Sequence, residues 1–111
     1  QMHIFPCENG DEFPNNQYTK WFDYDKIKGT LSLRHRQPGD YLTLPSGGRK
    51  TLKSWMIDEK IPRQEREQIW LLAEEKHILW IVGHRISAYY KITEQTKTIL
   101  EVEFNGGKSS G

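Results

Sequence analysis

Ser46-Gly47-Gly48-Arg49-Lys50-Thr51 is the stretch that most invites a chemical reading, because glycines ahead of Lys-Thr are how a phosphate-binding loop opens a helix. A Walker A loop needs Gly, four residues, then Gly-Lys-Ser/Thr. Here Arg49 separates Gly48 from Lys50, and Thr43 stands where the first Gly belongs. The glycines therefore read as a tight strand-to-helix turn, whose backbone N–H groups could still hold one phosphate oxygen of a larger ligand. The four histidines, His3, His35, His77 and His84, have no close metal-ligand spacing with one another or with Cys7, so no metal site is expected. Asp58-Glu59 and Glu74-Glu75 read as surface and turn carboxylates. Asp40, just after Pro38-Gly39, suits bonding to turn N–H groups or to a neighbouring Arg better than acid–base work. No set of residues amounts to a catalytic centre.

What remains is charge. Between Lys26 and Arg66 stand ten Lys and Arg against four Asp and Glu, an excess of six positive charges in a chain whose net charge is +1. The residues before this block carry a net −4 and those after it −1. A partner bearing phosphates is the first implication, and an ordinary solvated surface is the plainer one. One cysteine excludes an internal disulfide and fits a reducing cytoplasm. No apolar run approaches the roughly 20 residues that span a bilayer.

The elements that must position these residues follow from pattern. Residues 1–19 read as a linker or irregular arm, and residues 106–111 as a flexible tail, as though the chain were excised from a longer one. In residues 31–36 the period is two, which places Arg34 and Arg36 on one side, about 7 Å apart. Gln37-Pro38-Gly39-Asp40 is a turn, and residues 41–44 return as a strand. A principal helix is expected over residues 49–60, with Leu52, Trp55 and Met56 as its apolar stripe and Arg49, Lys53 and Lys60 as a basic one. Pro62 ends it and opens a second short helix over 63–68, where Arg63 and Arg66 share a face. Residues 69–73 and 77–83 form a hairpin, the second strand apolar enough to be central. Residues 85–87 and 98–104 supply further strands. Trp55, Trp70 and Trp80 read as core. The expected class is α+β: one domain over residues 20–105, a small, mostly antiparallel sheet or sandwich with one main helix and one short one.

Four motifs then occur in order: Arg34-x-Arg36-x-Pro38-Gly39-Asp40, Gly47-Gly48-x-Lys50-x-Leu52-Lys53, Lys60-Ile61-Pro62-x-x-x-Arg66, and Ile78-x-Trp80-x-x-Gly83-x-Arg85-Ile86-Ser87. Together they resemble the C-terminal domain of the tRNA(Ile)-lysidine synthetase family. The resemblance implies an ATP-dependent ligase that attaches lysine to the wobble cytidine of tRNA(Ile). Its chemistry would reside in an N-terminal catalytic domain bearing S-G-G-x-D-S, where ATP and magnesium bind. Ser46-Gly47-Gly48 lacks the Asp of that signature, so no catalytic residue and no cofactor is expected in this chain. By the same resemblance the module grips the acceptor stem, with Arg34, Arg36, Lys50, Lys53, Lys60, Arg63 and Arg66 as RNA-binding candidates. Arg63 rests on charge alone. Its partners would be tRNA(Ile) and the parent's catalytic domain, with neither DNA nor membrane. Two alternatives stay open. Arg34 and Arg36 could instead brace Asp40 across the turn, and the basic face could dock on an acidic surface of the parent without touching RNA.

Overall fold

A computed structural model describes residues 1–7 and 18–104; the expected tail over 106–111 lies outside them. No helix among the described residues is long and apolar enough to cross a membrane. Along the chain the residues group into two compact units, Lys28–Tyr89 and a second formed by the segments on either side of it.

The flanking unit is a three-stranded antiparallel sheet of β1 (Met2–Pro6), β2 (Thr19–Asp23) and β9 (Thr98–Glu103), in the order β1-β9-β2. In β9, Ile99, Leu100 and Val102 are all buried, as a centre strand requires. Phe5 and Trp21 meet edge to face with ring centres 5.3 Å apart, and the Trp21 Nε1–H donates to Glu101 at 3.0 Å. The expected irregular arm thus contains a strand. Its residues show no strand period of their own and are ordered by pairing with β9, which lies about 95 residues away in sequence.

The inner unit carries a six-stranded sheet built from β3 (Leu31–Arg34), β4 (Tyr41–Thr43), β5 (Arg49–Thr51), β6 (Leu71–Glu74), β7 (His77–Ile81) and β8 (Arg85–Ile86). The order is β3-β6-β7-β4-β5, with β8 also paired to β7. Every pairing is antiparallel except that of β4 with β7. The expected α+β class holds, and β7 is central as its apolar run implied. A bulge opposite Leu72 and Ala73 shifts the register, so Ala73 pairs with Ile78 and Leu72 with Trp80. One extra residue in β7 turns Ile81 back to the side of Ile78. Both join Leu42, Leu52, Trp55, Met56, Ile61, Leu71 and Ala73 in one apolar core.

The helices are shorter than expected. Helix α1 is Leu52–Asp58 and α2 is Arg63–Arg66. Residues 49–51 form β5 because Gly47 (φ +97°) closes a hairpin: its N–H donates to the Leu44 carbonyl and the Leu44 N–H to the Gly48 carbonyl, each at 2.8 Å. The glycine loop is therefore separated from the helix by a strand and offers it no N–H groups. Thr51 caps α1, its hydroxyl accepting from the Ser54 N–H at 3.1 Å. At the other end Lys60 takes the left-handed conformation (φ +58°), and the Ile61 N–H reaches back to the Met56 carbonyl at 3.0 Å. That closing bond and the burial of Ile61 at its contact make a Schellman ending in which a lysine stands where glycine is usual. Trp70, expected in the core, is 38% exposed and lies against His35, ring centres 4.1 Å apart.

Candidate nucleic-acid interface

The turn after β3 is built around Asp40, whose side chain is 1% exposed. Its carboxylate accepts from the Gln37 N–H at 2.8 Å and, through both oxygens, from Arg34 at 2.9 Å. Arg34 also donates to the carbonyls of His35 (2.9 Å) and Glu75 (2.7 Å). Four bonds hold its guanidinium inside the fold, tying the 37–40 turn to the β6–β7 turn. Of the two readings kept for Arg34, the brace is the one the geometry has. Arg36 lies beyond β3, which ends at Arg34, so strand alternation does not set its side.

Arg36 instead meets Lys53 in a cleft of about 600 Å³, lined also by Gln37, Asp40, Thr51 and Glu67. The 37–40 turn forms one wall and the start of α1 the other, joined by the Leu52 N–H donating to the Asp40 carbonyl at 2.8 Å. Arg36 donates through Nε to Glu67 Oε2 at 2.7 Å, with Nη2 in ion-pair contact with the same oxygen at 2.7 Å and Nη1 4.0 Å from the Met56 sulfur; the Glu67 side chain is 63% exposed. An ion pair so open to water is worth little, so another anion can take its place. Lys53 is exposed and has no ion-pair partner among the described residues.

The other candidates are dispersed by the elements that carry them. In β5 the two-residue period sends Arg49 and Lys50 to opposite faces. Lys50 lies opposite Leu42 and pairs with Asp58 of α1. Arg66 donates through Nε to the Ile61 carbonyl at 2.8 Å, tying α2 to the preceding loop. Lys60 and Arg63 are exposed, outside the cleft, and without an ion-pair partner among the described residues. The basic helical stripe of Arg49, Lys53 and Lys60 does not form, since Arg49 precedes the helix and Lys60 follows it.

On the Arg49 side of β5 lies a group that pattern did not single out. The Arg49 guanidinium sits 4.4 Å over the Tyr41 ring, and Tyr41 stacks on His77 with ring centres 4.6 Å apart and planes at 26°. His77 in turn lies 5.1 Å from the Tyr89 ring. Strand register explains the ladder: Tyr41 pairs directly with His77 and is diagonal to Arg49. His77 Nε2 lies 3.0 Å from Thr43 Oγ1 and 3.4 Å from Ser87 Oγ. The buried Ser87 hydroxyl itself accepts the Thr43 N–H at 3.0 Å. Burial lowers the His77 pKa below the ordinary 6.5 and the nearby Arg49 charge adds to this, opposed by Glu74. The ring is therefore neutral at pH 7. Alternation in Tyr41-Leu42-Thr43 was the signal that could have placed Tyr41 beside Arg49. Among the described residues no group of three or more His, Cys, Asp and Glu could hold a metal ion.

Comparison with known proteins adds three findings. Residues 31–103 match the family described as the TilS substrate C-terminal domain. The chain is 45% identical over 105 residues to a tRNA(Ile)-lysidine synthase of Caldanaerobacter subterraneus subsp. tengcongensis, which covers 94% of this chain and 22% of the relative. It is 42% identical over 94 residues to the synthase of Clostridium tetani, covering 84% of this chain and 20% of the relative. The chain thus spans about a fifth of the length of the curated relatives it matches. Among solved structures, a crystal structure of a TilS C-terminal domain superposes with a TM-score of 0.65 at 28% identity, covering 91% of this chain and 80% of that one.

Proposed function

We propose that this chain, which belongs to the family of TilS substrate C-terminal domains, grips the sugar–phosphate backbone of tRNA(Ile) for a parent ligase that attaches lysine to the wobble cytidine. The observation that supports this is the cleft that joins Arg36, whose one ion-pair partner among the described residues is an exposed carboxylate, to Lys53, which has none among them. A-form stems hide their base edges in a deep, narrow major groove, so a protein holds them through phosphates and 2′-hydroxyls. Cations on a short helix and a braced turn suit that work, because they fix register without reading sequence. Lys60 and Arg63 extend the positive surface; Lys50 and Arg66 serve chiefly to tie elements together. In this reading the adenylation step, with its ATP and magnesium, belongs to the parent's N-terminal catalytic domain in the cytoplasm, and this chain contributes binding alone.

The test is titration of tRNA with the wild-type chain and an Arg36→Gln/Lys53→Gln double variant at several salt concentrations. Two lost phosphate contacts should lower the log–log salt slope by about two and weaken binding alike for every tRNA. In the full parent enzyme the same changes should leave lysine adenylation intact. Equal affinity and slope for wild type and double variant would remove the cleft as the RNA site. Binding of the chain to the parent's catalytic domain, without binding to tRNA, would make it a docking module.

A further inference from the structure

The inner unit carries a second surface with the chemistry of single-stranded nucleic-acid recognition, and it adjoins the cleft. Thr51 lines the cleft and pairs across the β4–β5 ladder with Tyr41, while Asp40 lines the cleft and precedes Tyr41 in sequence. From Tyr41 run the ring contacts: Arg49 over the Tyr41 ring, His77 stacked on it, then Tyr89 tilted at 38° against His77. Tyr41 stands on β4 between β7, which carries His77, and β5, which carries Arg49, so the two groups reach its ring from opposite neighbouring strands. Tyr89 at the far end is 43% exposed and Arg49 at the near end is exposed.

We propose that Tyr89 is a stacking platform for an unpaired nucleobase of the RNA whose paired stem lies along the Arg36–Lys53 cleft, with Arg49 taking a phosphate of the same single-stranded segment. This rests on the RNA-binding reading above and adds to it the class of nucleotide bound. A base inside a duplex has both faces covered by its neighbours, so only an unpaired one can lie flat on a side chain. Aromatic rings beside a guanidinium are how proteins hold such bases without reading sequence. The ladder is pre-organised for this: the middle ring is anchored through Thr43 and the buried Ser87, so Tyr89 rests on a support already in place. An uncharged imidazole adds no repulsion toward Arg49.

The experiment compares a blunt RNA hairpin with the same hairpin carrying four unpaired adenosines, at the 3′ or the 5′ end, by fluorescence anisotropy. At least one tailed hairpin should bind the wild-type chain about tenfold tighter than the blunt one, the scale of stacking one base on an aromatic ring. Tyr89→Leu, which keeps apolar bulk and removes the ring, should abolish that gain and leave blunt binding unchanged; Tyr89→Phe should retain it. Circular dichroism checks that Tyr89→Leu folds. Should it not fold, photocrosslinking of a 4-thiouridine tail to the wild-type chain replaces it, with the crosslink expected on the peptide holding Tyr89. Blunt binding without a tail gain, a gain that survives Tyr89→Leu, or a crosslink elsewhere overturns the platform and leaves the backbone reading standing. Failure of the wild-type chain to bind any of the hairpins overturns both.

Discussion

Two nitrogens of Arg36, Nε and Nη2, lie within 2.7 Å of one oxygen of Glu67, and both residues line the cleft. The chain thus carries its own competitor for the proposed ligand. Replacing Glu67 by Gln should tighten tRNA binding several-fold at low salt, because the isosteric amide leaves Arg36 without an anionic partner. Titration at 50 and 200 mM salt checks this. Unchanged or weaker binding would place the RNA away from Arg36.

Arg34 should behave in the opposite way. It is bound to a carboxylate sealed from water, so Arg34→Ala strands a buried charge and should cost about 3–5 kcal/mol in urea unfolding. Lys should not rescue it, since one ammonium cannot reproduce a two-oxygen grip on Asp40 together with two carbonyl bonds. A Lys53→Ala variant, changed on the surface, should unfold within about 0.5 kcal/mol of wild type. Comparable stability losses for Arg34→Ala and Lys53→Ala would refute the brace.

Trp80 is fully buried on the central strand, and Trp80→Ala should cost about 3–5 kcal/mol, a large share of a small domain's stability. Chemical denaturation of the variant gives the value, and a loss under 1 kcal/mol would contradict the burial.

The Schellman ending makes the reverse prediction. A non-glycine residue in the left-handed region costs about 1–2 kcal/mol, part of which glycine returns through its greater entropy loss on folding. Lys60→Gly should therefore stabilise the chain by about 0.5–1 kcal/mol, read as a raised Tm. It should lower RNA affinity only modestly, since Lys60 lies outside the cleft.

For His77 the sign of the pH effect follows from burial. A native pKa below 6.5 means the unfolded chain takes up the proton first as pH falls. This residue's contribution is fully present above about pH 6.5 and declines from there down to the lowered native value. NMR titration of the His77 ring protons should give a midpoint below 6.5, and the wild type should lose more stability over this window than His77→Phe.

Much of this arrangement was legible in residue pattern, and the failures have physical causes. The hairpin of β6 and β7 and the centrality of β7 followed from an apolar run too dense for a surface strand. The 37–40 turn followed from Pro38-Gly39. Arg49-Lys50 misled because polar residues with good helix propensity carry no strand period; the backbone of Gly47 and the ladder with β4 decided their state. β1 was illegible for another reason: its order comes from a partner at the far end of the chain. The cleft was half visible. Arg36 and Lys53 stood in the motifs, but which cations would be consumed by Asp40, Asp58 and the Ile61 carbonyl depends on tertiary contacts that spacing does not encode.

Inserting one unit between the strands of the other has a kinetic consequence. β2 and β9 pair across an intervening stretch of about 75 residues, a closure whose entropic cost grows with loop length. The inner unit pairs strands much nearer in sequence, so it should fold first and draw the two ends of the flanking sheet together. Refolding would then show early protection of amides in β6 and β7 and late protection in β9. The flanking sheet, whose strands pair over the longest sequence separations, would then be the last to assemble.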